Sequence, residues 1–159
     1  MGVLSYEAEF SSSIPPANLF KAMVLDMVTL LPKIFPQLFT NFVTLQGDGG
    51  PGTIRQVNLA DGRTLKERTE AVDKENFRYV YSIIEGDVLT NNIEKICNEV
   101  SLTVALDGGT ICKRSSRYFT ADDVDVKEEE IKAHNEKTDG ILGAILKAFE
   151  HYLLENPLN

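Results

Sequence analysis

The C-terminal stretch constrains the fold most. Between Asp122 and Asn156, the residues Ile141, Leu142, Ile145, Leu146, Phe149, Tyr152 and Leu153 recur at helical spacing. That spacing predicts one long helix with a single apolar face. Its first part, Lys127 to Lys137, is highly charged, and Asn156-Pro157 ends it. Such a helix must bury its stripe against another layer, and the upstream sequence offers a sheet.

Strand-like segments cover Val3–Phe10, Phe39–Gln46, Thr53–Leu59 and Thr64–Val72, then Phe77–Glu85, Ile93–Val104 and Thr110–Thr120. Turn signals separate several of them: Gly47-Asp48-Gly49-Gly50-Pro51-Gly52, Ala60-Asp61-Gly62-Arg63 and Asp107-Gly108-Gly109. Regular spacing of this kind predicts an antiparallel sheet. Ser11-Ser12-Ser13 is expected to break the first strand. Pro15-Pro16 opens a helix with Leu19, Phe20, Met23 and Val24 on its apolar face. A second short helix is expected over Thr29–Phe35, limited by Pro32 and Pro36. The predicted order is strand, two short helices, six strands, one long helix. This is an α+β fold in one domain, residues 1–159, because no repeat or linker divides the chain.

Charge and cysteine usage narrow the function. The net charge is −8 over 159 residues, which disfavours binding to phosphate backbones. Leu19 to Val43 is the most apolar stretch, but Lys21, Asp26, Pro32, Lys33 and Pro36 break it, so no membrane span is expected. Met1-Gly2-Val3-Leu4-Ser5-Tyr6 lacks the pattern of a signal peptide. Cys97 and Cys112 read as free thiols of a cytoplasmic protein. Two Cys and two His make a zinc site improbable, and neither a metal nor a cofactor is expected. The Gly47–Gly52 loop has Walker-like glycine spacing but lacks the following Lys, so a structural hairpin is the better reading.

Gly47-Asp48-Gly49-Gly50-Pro51-Gly52-Thr53-Ile54 resembles the signature of the plant class-10 pathogenesis-related family, the group of the birch-pollen major allergen. Leu19-Phe20-Lys21-Ala22, Leu31-Pro32-Lys33, Tyr81-Ser82-Ile83-Ile84-Glu85-Gly86-Asp87 and Glu150-His151-Tyr152-Leu153-Leu154 are similar to it as well. The resemblance implies a START-like helix-grip fold: a seven-stranded curved antiparallel sheet around the long helix, enclosing an apolar cavity.

The family's cavity positions fall on strand faces that parity can check. Arg55, Val57 and Leu59 share one face of the third strand, and Phe77, Tyr79, Tyr81 and Ile83 one face of the fifth. On the sixth, Ile96, Asn98, Val100, Leu102 and Val104 point inward, leaving Lys95, Cys97, Glu99 and Ser101 outside. On the seventh, Thr110, Cys112, Arg114, Ser116 and Tyr118 share the inner face. Met23, Leu31, Leu38 and Phe39 are the expected contacts from the helical region, and Ile141, Leu142 and Ile145 those from the long helix. These residues could simply pack a core. Polar members such as Tyr79, Tyr81, Asn98 and Tyr118 argue instead for a small-molecule site.

Several departures from the family stand out. Arg114 replaces an apolar residue; it either pairs with Glu67 or another acid, turns outward, or joins Arg55 in favouring an anionic ligand. Met27, Val28, Phe35, Leu38, Phe39 and Phe42 add bulk near the expected cavity mouth, and cavity lining is the favoured role. The turn near Asp61-Gly62 is shorter by about three residues than in the family, and the long helix is longer by about four, near Lys137 to Ala144, close to one helical turn. Gly140 and Gly143 are expected to permit a bend. Ala121-Asp122-Asp123 replaces the family's usual turn.

The resemblance implies a defence-related carrier for small hydrophobic or aromatic metabolites, such as flavonoids, cytokinins, sterols or abscisic-acid-like terpenoids. The alternatives are an enzyme using the same cavity, with Lys66 and Glu67 the nearest acid–base candidates, and a weak ribonuclease resting on Arg55, Glu94, Glu150 and Tyr152. A protein phosphatase partner and self-association are further expectations without a motif to support them.

Overall fold

The computed structural model describes residues 2–89, 92–121 and 128–157. Its elements follow the predicted order. Strand β1 (Gly2–Ser12) leads to α1 (Pro16–Phe20), a wide π-helical turn (Lys21–Leu25) and α2 (Met27–Ile34). Six strands follow: β2 (Phe39–Gln46), β3 (Ile54–Leu59), β4 (Thr64–Asp73), β5 (Arg78–Gly86), β6 (Ile93–Val104) and β7 (Thr110–Thr120). The chain closes with α3 (Glu128–Glu155), which runs unbroken through Gly140 and Gly143. The expected helix start at Asp122, and the turn containing Asp122 and Asp123, lie outside the described residues.

All seven strands join one antiparallel sheet in the order β1-β7-β6-β5-β4-β3-β2. Register shifts insert an extra residue at two places in β2 and at one place each in β4, β5 and β6. Bulges of this kind bend a strand and raise its twist, which curves the sheet toward α3. The turns use glycine where the backbone demands it. Gly62 has φ +90°, and Leu59 donates to the Arg63 carbonyl at 2.9 Å to close the β3–β4 hairpin. Gly47 has φ +96°, and an added Cβ would lie 2.6 Å from Thr53.

Several details differ from expectation, among them α2, which runs Met27–Ile34 rather than Thr29–Phe35, and β3, which begins at Ile54 rather than Thr53. Ser11 and Ser12 stay in β1 because their backbones pair with Ile111 and Thr110; pairing outweighs the weak strand preference of serine. Phe77 stands outside β5 with φ +53°, a left-handed conformation rare for an aromatic residue. The Leu102 amide donates to its carbonyl, and its ring meets Phe20 at 5.7 Å. Val104 was expected inside but is 68% exposed, because β6 runs past the core there.

Two apolar clusters fill the space between sheet and helices. The larger gathers Leu19 and Phe20, the α2 region, and Ile145, Leu146, Phe149 and Leu153 of α3. The smaller joins Ile96, Tyr118 and Ile131. On α3 no residue between Asn135 and Ile145 is fully buried. Thr138, Ile141 and Leu142, on the stripe, are only half-buried because they face an open space rather than packed atoms.

Candidate functional site

That space is a cavity of about 350 Å³ between α3, the π-helical turn with α2, and the inner face of the sheet. Alternation places its walls. On β3 and β5, Val57, Leu59, Tyr79, Tyr81 and Ile83 point in, and on β6 Asn98 and Val100 do. Met23, Leu31, Leu38 and Phe39 close it on the α2 side, and Ile141, Leu142 and Ile145 on the α3 side. The added bulk of the second-helix region lines the cavity through Met27, Leu38, Phe39 and Phe42. Phe39 bridges Phe35 and Phe42, with ring centroids 6.4 and 5.6 Å away. Phe35 is buried off the cavity wall, and Val28 is exposed.

Three expected site residues stand off the cavity wall. Arg55 faces inward on β3, opposite Glu67 in register, but its guanidinium leans toward the glycine-rich loop, close to Gly49. Cys112 is sealed in the core between its register partners Phe10 and Leu102. Burial pushes its thiol up to about 12. Tyr118 is covered by the first half of α3: its hydroxyl shares a 2.7 Å hydrogen bond with His134 Nδ1, and Tyr6 meets its ring edge-on at 5.8 Å. His134 takes the place on the wall that Tyr118 was expected to hold.

Arg114 lines the cavity and is 4% exposed, yet it carries its own neutralising shell. Nη1 donates to Asp139 Oδ1 at 2.6 Å and to Asn135 Oδ1 at 3.0 Å. Nη2 donates to Asn98 Oδ1 at 3.0 Å, an oxygen that also accepts from Ser116 Oγ at 2.6 Å. The acid that partners Arg114 is therefore Asp139, not Glu67. Asp139 lies in the segment of α3 that was read as an extra turn. The paired guanidinium does not present a free positive charge to a ligand, which removes the main reason to expect an anion anchor there.

Glu67 is the buried carboxylate without such support. It lines the cavity at 8% exposure, and its Oε1 accepts no hydrogen bond. Burial pushes its carboxyl up to about 7, and the Arg55 charge only partly opposes this. Arg55 Nε and the Tyr79 hydroxyl are also buried with no hydrogen bond of good geometry, although the Thr69 hydroxyl acts on Tyr79 and partly offsets the effect of burial. Tyr79 stacks on Tyr81, centroids 5.2 Å apart. Burial, reinforced by Glu67, raises the Tyr79 hydroxyl and pushes that of Tyr81 up to about 12, so both remain protonated donors. Lys66 points to the opposite face and pairs with Glu85 at 3.0 Å, as the alternation of adjacent strand residues requires.

Other wall residues were not expected: Arg63, Leu65, His134, Lys137, Thr138 and Phe149. Stepping the α3 stripe back from Ile145 by three or four residues reaches Leu142, Thr138 and His134. The signal existed but sat inside a run dominated by charge. Burial, followed by the charges of Arg114 and Lys137, lowers the pKa of His134, so its imidazole is neutral at pH 7. Cys97 and Cys112 are unpaired and buried. Among the described residues, no group of three His, Cys, Asp or Glu side chains could hold a metal ion, and no helix is long and apolar enough to cross a membrane.

Comparison with known proteins agrees with this architecture. Residues 1–156 match the model of the Pathogenesis-related protein Bet v 1 family. The major strawberry allergen Fra a 1-B of Fragaria ananassa is 48% identical over 160 aligned positions, covering 99% of this chain and 98% of that one. The major pollen allergen Bet v 1-C of Betula pendula is 45% identical, covering 97% and 96%. The crystal structure of Ara h 8.0201 superposes with a TM-score of 0.80 at 33% identity, covering 97% of this chain and 99% of that chain. Norcoclaurine synthase from Thalictrum flavum, in complex with dopamine and hydroxybenzaldehyde, reaches a TM-score of 0.78 at 22% identity, covering 99% and 90%. At that identity the likeness is one of fold alone.

Proposed function

The chain belongs to the Bet v 1 family of pathogenesis-related proteins, and we propose on that footing that it is a defence-related carrier binding one small hydrophobic or aromatic metabolite in its interior. The observation that carries this reading is the cavity of about 350 Å³, apolar over most of its wall and polar at a few converging groups. That combination suits a ligand site, burial giving affinity and the polar groups orientation. The volume is near the lower end of the usual range of about 300–1,000 Å³ for such sites, which favours a single compact ligand.

The polar groups select among ligand classes. Arg114 is neutralised by Asp139. Glu67 offers an unused acceptor, and Tyr79 an unused hydroxyl. A neutral phenolic of flavonoid type, bringing its own hydroxyl donors, meets this wall better than a carboxylic acid does. Two unpaired cysteines suit a reducing compartment such as the cytoplasm.

Native mass spectrometry with a panel of neutral and acidic plant aromatics tests the reading. One retained ligand per chain is expected, neutral phenolics being retained at least as well as acids. Leu142→Trp, which places an indole in the cavity, is expected to lose the ligand. No retention by the wild-type protein overturns the proposal. Selective retention of acids that Arg114→Leu abolishes overturns the neutral preference.

A further inference from the structure

Glu67 and Tyr79 are paired by their surroundings rather than by each other's hydrogen bonds. One presents a buried acceptor and the other a buried hydroxyl, and both face the same cavity. Glu67 Oε1 accepts no hydrogen bond, and the Tyr79 proton is not given to any acceptor, the one hydroxyl that bears on its oxygen being that of Thr69. Burying polar atoms unpaired costs stability, so a fold that keeps two on one cavity wall retains them against that cost. Arg55, the cation on β3 in register with Glu67 on β4, carries its guanidinium toward Gly49.

We propose that Glu67 and Tyr79 form a proton-transfer site: Glu67 removes a proton from an activated carbon of a bound aromatic molecule, and the Tyr79 hydroxyl donates to the oxyanion that develops. The proposal rests on the binding reading above and adds chemistry to it. The reaction class is isomerisation or elimination by proton abstraction, which needs no redox partner. A base and a preformed donor are the two parts such chemistry requires, and an apolar enclosure strengthens both. Burial also brings Glu67 to about 7, where base strength and the deprotonated fraction are balanced near neutral pH. The charge acting on it is that of Arg55 from β3, and Glu67 in turn raises the hydroxyls of Tyr79 and Tyr81 on β5; Arg63, Arg114, His134 and Lys137 line the same cavity.

The ring opening of 5-nitrobenzisoxazole is a direct probe. Glu67 takes the proton from the ring carbon, and the C–H electron pair completes the nitrile as the N–O bond breaks. The phenolate oxygen leaves with the negative charge, beside Tyr79, and the Glu67 proton passes to water. The wild-type protein is expected to exceed acetate at equal concentration by about a hundredfold. Its rate should rise with pH through about 7 and then level, since the deprotonated carboxylate is the active form. Glu67→Gln is expected to lose that excess while still unfolding cooperatively on heating, which separates loss of the base from loss of the fold. Tyr79→Phe should lose several-fold in rate and keep the midpoint in pH. A Glu67→Gln variant as active as wild type overturns the proposal, as does a wild-type rate no greater than that of acetate. If the wild type retains aromatics while its rate matches acetate, only the proton-transfer site fails. If it retains none, the carrier reading fails with it.

Discussion

Burying Glu67 costs the folded chain stability at and above neutral pH and little in acid. Its folded pKa, about 7 against an ordinary 4.5, is raised. The protonated form is the one the fold tolerates, so the contribution of this residue is full below about 4.5 and is lost as pH rises through 7. The difference corresponds to roughly 3 kcal/mol. Glu67→Gln, neutral at every pH, should therefore melt increasingly above wild type between pH 4 and pH 8. Thermal unfolding of both proteins across that range checks this; a pH-independent gap would contradict it. Arg114 poses the opposite case. Asp139→Ala leaves a buried guanidinium without its carboxylate partner and should cost about 3 kcal/mol. Arg114→Leu leaves Asp139 at 22% side-chain exposure, where water reaches it, and should cost clearly less. Denaturant melts of the two variants decide the order.

At the scale of elements, α3 is held at two places and spans an opening between them. Ile131 and Asn135 pack at one end and Ile145, Leu146, Phe149 and Leu153 at the other. Gly140 lies in the span, exposed, with nothing within 4 Å of an added Cβ. Gly140→Ala should stabilise the protein by about 1 kcal/mol without touching the cavity wall, readable as a raised midpoint in urea. Much of this architecture was legible. Phe39–Gln46, Ile93–Val104 and Thr110–Thr120 are observed with the bounds that alternation and turn residues set. What escaped depends on partners distant in sequence. Ser11 and Ser12 are strand only because β7 lies beside them. Phe77 accepts a left-handed backbone inside a tertiary setting that Phe20 and Leu102 help to build. Asp139 reads as one more charge on a solvated helix until Arg114, far back in the chain, is folded beneath it. Most of the positions carried over from the family resemblance line the cavity, but strand parity could not show that Arg55 leans away, or that His134 covers Tyr118.

For the whole molecule, the open cavity forgoes packing contacts that a ligand would restore, so occupancy and stability are linked. A ligand held at a hundred times its dissociation constant should stabilise the fold by about 2.7 kcal/mol. Differential scanning fluorimetry with the retained aromatic should show the rise in wild type and none in Leu142→Trp. The strand order carries a consequence of another kind. From β2 to β7 each strand pairs with its successor, so that part of the sheet can zip up through local hairpins. β1 instead joins β7, bringing Gly2 opposite Thr120. Closing so large a loop is entropically costly until many contacts form together. A kinetic barrier therefore belongs to the β1–β7 seam, and a chain that has already assembled its meander still waits on that seam before the sheet is complete.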